Sequence, residues 1–124
     1  MKELTISAFL LVHVIIFIGG LSRLNTTLEK TVLSGILPHF IAFFTLAFVS
    51  SVLLLSYKKI HPFLISFLYA VFIGILLEFS QLLIGYRMFD VFDMLMDTVG
   101  AGCYFLVGYI LYKNGFFEIL KRFE

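Results

Sequence analysis

Four apolar runs dominate this chain, at about residues 4–21, 36–57, 63–84 and 91–112. A helix needs about 20 apolar residues to cross a bilayer, and each run supplies them. In hydrocarbon every backbone N–H and C=O must be satisfied inside its own segment, so runs of this length are helices. The connections between them are short, which sets neighbouring helices antiparallel. The sequence therefore predicts an all-α membrane protein: an antiparallel bundle of four transmembrane helices with short interfacial helices, in one domain over residues 1–124.

Composition excludes the main alternatives. Hydrophobic residues make up 61% and charged residues 14%, against about 45–50% and about 25% in soluble domains. A net charge of +1 offers no basic face to a nucleic acid. Cys103 is the single cysteine, so neither a disulfide framework nor a cysteine metal cluster can form. The first run follows Met1-Lys2-Glu3, as a signal peptide would. Its apolar stretch is too long for one, and Gly19-Gly20-Leu21-Ser22 is a poor cleavage site, so it is expected to stay as a helix.

The connections carry their own signals. Pro38 is expected in the first turn of the second helix, and Pro62 opens the third, where a missing N–H costs little. Between Leu21 and Gly35, Thr26 and Glu29 form a T-x-x-E capping box, and Leu24, Leu28 and Val32 share one face. That pattern predicts a short helix on the membrane surface. The tail from Lys113 sets Phe116, Phe117, Ile119, Leu120 and Phe123 among Glu118, Lys121 and Arg122, the pattern of a second interfacial helix. Lys2, Lys58, Lys59, Lys113, Lys121 and Arg122 fall at one end of such a bundle, and Arg23, Lys30 and Arg87 at the other. The excess of cations on cytoplasmic loops then places both termini in the cytoplasm.

The unusual stretch lies between Glu78 and Gly100, where Glu78, Arg87, Asp90, Asp93 and Asp97 interrupt two apolar spans. Each such charge at a helix centre costs roughly 2.5–3.5 kcal/mol on insertion scales. Glu78 and Asp97 lie almost equally far from a turn near Tyr86 and Arg87, each roughly 10 Å deep at about 1.5 Å per residue. Gln81 shares a face with Glu78; Asp90, Asp93, Asp97 and Gly100 share another. Facing each other, these would form an outward-opening acidic pocket, with Arg87 at its lip and His39 closing it from the second helix.

Bland roles compete for the same residues. Gln81, Glu78 and Asp97 could hydrogen-bond across helices as glue. Asp90 sits where an N-cap belongs. Arg87 could snorkel to headgroups. His13, without a charged neighbour in sequence, reads as a neutral ring bonded to an adjacent helix, and His61 as an interfacial residue.

E-x-x-Q-x-x-x-G-Y-R-x-x-D-x-x-D-x-x-x-D-x-x-G from Glu78 to Gly100, preceded by His39-Phe40-Ile41-Ala42-Phe43-Phe44, resembles the VanZ-like family over about residues 39–112. These are small bacterial membrane proteins named for a member linked to low-level resistance to the glycopeptide teicoplanin. By position, His39-Phe40, Glu78, Gln81, Arg87, Asp90, Asp93 and Gly100 fall on the family's recurring positions. The chain departs from the pattern at Gly35-Ile36, where Asp-Lys is common, at Asp97, where asparagine is usual, and at Tyr104, which replaces a glycine. The resemblance implies a bacterial cytoplasmic membrane protein and supplies a phenotype, not a reaction.

Three functions fit these residues. One is a non-enzymatic envelope factor that binds a lipid or a lipid-linked cell-wall precursor and lowers glycopeptide susceptibility. The second is a membrane enzyme acting on a lipid phosphate, with His39, Glu78, Asp93 and Asp97 around a divalent cation; no H-E-x-x-H, phosphate-binding loop or serine-nucleophile motif accompanies it. The third is a proton or ion pathway through paired intramembrane acids. No organic cofactor is implied, and nothing specifies an oligomeric state.

Overall fold

The computed structural model describes residues 2–21, 32–85 and 90–122. Its long helices are α1 (Lys2–Leu21), α2 (Val32–Ser56), α3 (Pro62–Ile84) and α4 (Val91–Lys113), followed by the short α5 (Phe116–Lys121). All four long helices are long and apolar enough to cross a membrane. The surface helix expected before α2, with its Thr26–Glu29 box and Lys30, falls on residues outside those described.

One expectation needs correction. Pro38 does not stand in the first turn of its helix, because α2 begins at Val32 and carries Pro38 inside it. An internal proline forfeits one backbone hydrogen bond. Neighbouring helices and local adjustments make that tolerable in a membrane span.

The tight turn from α2 to α3 is built by Lys59 N–H donating to the Leu54 carbonyl at 3.0 Å, with Lys58 and His61 at φ 53° and 54°. Pro62 then starts α3 as expected. Gly85 ends it in the left-handed region, at φ 81°, which only glycine adopts without penalty.

Helices α2, α3 and α4 pack mutually, while α1 lies against α2 and α3. Phe43, Leu46, Ala70, Leu77, Ala101 and Tyr104 fill the centre. Leu10, Leu11, Ile15 and Ile18 of α1 and Leu68, Phe72 and Phe79 of α3 face outward, as apolar side chains should where the solvent is lipid.

The end shared by the chain's start and the α2–α3 turn is closed by aromatic rings. Tyr104 hydrogen-bonds Ser51 and packs edge-on against Phe44 and Phe48. Phe63 touches Tyr112 and Phe117, which tucks α5 under the bundle. Lys2 lies over the Tyr57 ring at 5.3 Å and Lys113 over Tyr109 at 5.2 Å, so cations collect at this end.

The opposite end depends on two glycines. A methyl at Gly100 would collide with the Phe40 carbonyl oxygen, so α2 and α4 meet backbone to backbone there. A methyl at Gly74 would sit 3.1 Å from Asp97 Oδ2 and 3.3 Å from its Cβ. The missing side chain lets Asp97 press against α3. These two contacts fix how α4 is rotated, and hence what its acids face.

Candidate polar site in the bundle

With α4 so rotated, Asp97 and Asp93, one turn apart, point at α2. His39 stands between them. Its Nδ1 lies 2.7 Å from Asp97 Oδ1, a hydrogen bond, and its Nε2 lies 3.4 Å from Asp93 Oδ2. The ring is thus flanked by carboxylates on both nitrogens, in a mostly buried position.

Glu78 and Asp97 are both buried, and each has a hydrogen-bond partner of its own. Asp97 is matched with His39, and Glu78 Oε2 accepts the backbone N–H of Asp90 at 3.2 Å. Asp90 has extended backbone angles, and its own carboxylate accepts the Phe92 N–H at 2.8 Å. It is the N-cap of α4, which turns its side chain back on its own helix instead of into a shared face.

Gln81 is also directed elsewhere. Its amide donates to the Gly20 carbonyl at 2.7 Å, pinning the last turn of α1 to α3. The last carbonyls of a helix lack intrahelical donors, so this bond is a side-chain cap as well as glue. Arg87 lies outside the described residues.

The acids of the site are buried and incompletely satisfied. Glu78 and Asp97 are 0% and 1% exposed, and Asp93 is buried at 7%. Yet Glu78 Oε1 and Asp97 Oδ2 have no hydrogen-bond partner among the described residues. A buried polar atom left unpaired costs about 1–3 kcal/mol, and more where it carries charge. Packing alone gives no reason to keep two.

His39 also reaches a cavity of about 280 Å³ between α1, α2 and α3. Gly19 and Gly20, Pro38, and Leu77 contribute its walls, and no acid of the cluster lines it. The sequence pointed to neither Gly74 nor this cavity. Glycines in the middle of α3 and at the end of α1 were the available signal, since each removes a side chain where helices approach.

Among the described residues, no three or more His, Cys, Asp or Glu side chains are arranged to hold a metal ion. The ligand set suggested by His39, Glu78, Asp93 and Asp97 is therefore not assembled. What the arrangement can do is bind hydrogen-bond donors at Glu78 Oε1 and Asp97 Oδ2, which have no partner among the described residues.

The sequence model of the VanZ/LLP1 family matches residues 5–117, nearly the whole chain. The chain belongs to that family. No curated protein and no solved structure matches it.

Proposed function

We propose that this VanZ/LLP1-family protein is a bacterial envelope factor of the cytoplasmic membrane that binds a lipid or lipid-linked cell-wall precursor at its polar end and lowers susceptibility to teicoplanin. The observation that carries the reading is a set of buried ionisable side chains, two of whose carboxylate oxygens have no partner among the described residues, at the bundle end where α1 and α3 finish and α2 and α4 begin. Intramembrane ionisable groups are costly and mark ligand or ion sites by default. The opposite end gathers Lys2 and Lys113 around the bundle, which supports cytoplasmic termini and a polar site toward the cell wall. Arg87, two residues after Gly85 in sequence, is of the residue type suited to a lipid phosphate.

The metal-dependent enzyme has no ligand geometry in its favour. A proton pathway meets an obstacle at His13, the group that would extend a relay inward. Its Nδ1 bonds the Phe9 carbonyl and its Nε2 the Tyr69 hydroxyl, which leaves no nitrogen for a further partner.

The test is the inhibitory concentration of teicoplanin and vancomycin in a susceptible Gram-positive host. Wild type, Glu78→Gln and Asp97→Asn are compared at matched membrane levels. The expected result is a rise selective for teicoplanin that both substitutions abolish. A rise that survives both reduces the acids to structural glue and removes the reading.

A further inference from the structure

Charge and donors do not balance at the polar end of the bundle. Among the described residues there, His39 is the one basic group, and its two ring nitrogens face Asp97 and Asp93. Glu78 on α3 is a third buried acid, within electrostatic range of His39, Asp93 and Asp97. Asp90 adds a fourth carboxylate at the rim, already accepting the Phe92 N–H. Helix α1 brings no charge to this end; it offers the Gly20 carbonyl, which accepts from Gln81.

Two oxygens of these acids also lack donors. Glu78 Oε1 and Asp97 Oδ2 are fully buried, with no hydrogen-bond partner among the described residues. Both belong to the seam between α3 and α4. Asp97 Oδ2 lies against Gly74, where a methyl would stand 3.1 Å from it, and Gly74 is one turn from Glu78 on the same face of α3. Glu78 is tied through Oε2 to the backbone of Asp90, the N-cap of α4. The seam is thus an acidic strip that runs from the rim into the bundle.

The species that could complete this strip differ in what they bring. A proton cancels one charge, but the O–H it creates finds no acceptor among the described residues, since neither oxygen has a partner of either kind there. Water brings donors and leaves three acids against one ring. A phosphate adds negative charge. A primary ammonium brings what is missing on both counts: a positive charge, and three N–H groups that carboxylates accept in charge-assisted hydrogen bonds.

We infer that this acidic strip takes the primary ammonium group of an amine-bearing amphiphile, whose N–H groups meet Glu78 Oε1 and Asp97 Oδ2. The inference rests on the lipid-binding reading above and names the chemistry of the head group. The amine belongs either to a bilayer lipid or to a peptide carried on a lipid anchor, and the two sources are separable.

The experiment is native mass spectrometry of the full chain in detergent, titrated with lipids of identical acyl chains. Phosphatidylethanolamine carries the charge and the N–H donors, phosphatidylcholine the charge alone, and phosphatidylglycerol neither. A second pair sets a palmitoylated peptide with a free lysine side chain against its Nε-acetyl form. The free-amine member of at least one set is expected to bind about tenfold tighter than its counterparts, equivalent to roughly 1.4 kcal/mol. A preference within the phospholipids assigns the amine to a bilayer lipid, and a preference within the peptides assigns it to a lipid-anchored peptide. Glu78→Gln and Asp97→Asn, which put an amide in place of each acid in turn, should remove the preference. Tyr69→Phe, away from the strip, should keep it. The wild-type comparison needs no variant, so a poorly folding substitution does not decide the matter.

No preference for the free amine in either set overturns the inference. So does phosphatidylcholine binding as well as phosphatidylethanolamine without a preference among the peptides, and so does a preference that survives both acid substitutions. The two readings separate in the host. If the acids confer amine preference but the protein leaves teicoplanin susceptibility unchanged, the ammonium site stands and the envelope reading falls. If Glu78→Gln and Asp97→Asn abolish a teicoplanin effect but no amine is preferred, the envelope reading stands and the ammonium site falls.

Discussion

Two histidines sit inside the spans of this bundle, and they are held in opposite ways. His13, between α1 and α3, is closed on every side. The Phe9 carbonyl can only accept, so Nδ1 carries the proton, and in the neutral ring Nε2 takes the Tyr69 hydroxyl. The Phe9 and Tyr69 rings stand 4.3 and 5.7 Å from it. His39, between α2 and α4, faces two carboxylates, and the cluster around it leaves Asp97 Oδ2 and Glu78 Oε1 without a partner among the described residues. A polar group kept as glue ends up satisfied. A group kept for a ligand need not be, and the protein bears the cost in stability.

The comparison can be broken most violently at Gly100. Gly100→Leu drives a side chain into the Phe40 carbonyl and should cost about 4 kcal/mol or more, in the range of severe core disruption. No monodisperse protein is expected on fluorescence-detected gel filtration, and recovery of a normal peak would mean that the α2–α4 seam is not where His39 is set.

His39→Ala comes next, because it strands Asp93 and Asp97. Removing one partner of a buried ionic pair costs about 3–5 kcal/mol, read as a large fall in the detergent unfolding midpoint together with loss of the proposed effect on teicoplanin susceptibility. His39→Gln, which restores a single donor, should recover part of the midpoint. Tyr69→Phe is smaller. A hydrogen bond between membrane helices averages about 0.6 kcal/mol and reaches about 1.7 at most, so this variant should melt slightly lower and keep its full effect on teicoplanin. Loss of that effect in Tyr69→Phe would erase the distinction between the two histidines.

The spans themselves were legible because length and apolarity decide them, and the bounds of α3 and α4 follow from Pro62, Gly85 and the Asp90 cap. The partners across helices were not. Periodicity places Asp90, Asp93 and Asp97 on one face, but the extended backbone of Asp90 removes it from that face. Equal distance from the turn sets Glu78 and Asp97 at one depth, but depth says nothing about which group each bonds. Rotation is set by the close approaches at Gly74 and Gly100, and these turn Asp97 to His39. Gln81, one turn from Glu78, is drawn to the α1 terminus by the Gly20 carbonyl. His39, Asp93 and Asp97 could be listed as candidates from sequence; that His39 stands between the two aspartates required the packing.

The smallest expected effect is the most informative. Asp97→Asn keeps the shape of the side chain and an oxygen for His39 Nδ1 while removing a fully buried ionisable group. Unlike His39→Ala, it leaves no group of the pair without a hydrogen-bond partner, and relieving a binding site kept at the expense of stability commonly raises stability. The decisive measurement is therefore the thermal unfolding midpoint of Asp97→Asn in detergent, beside Tyr69→Phe and wild type. If the His39 cluster is maintained for a ligand, Asp97→Asn melts at or above wild type while Tyr69→Phe melts below it. A midpoint for Asp97→Asn that falls as far as that of Tyr69→Phe, or further, would make the cluster structural glue and contradict the account.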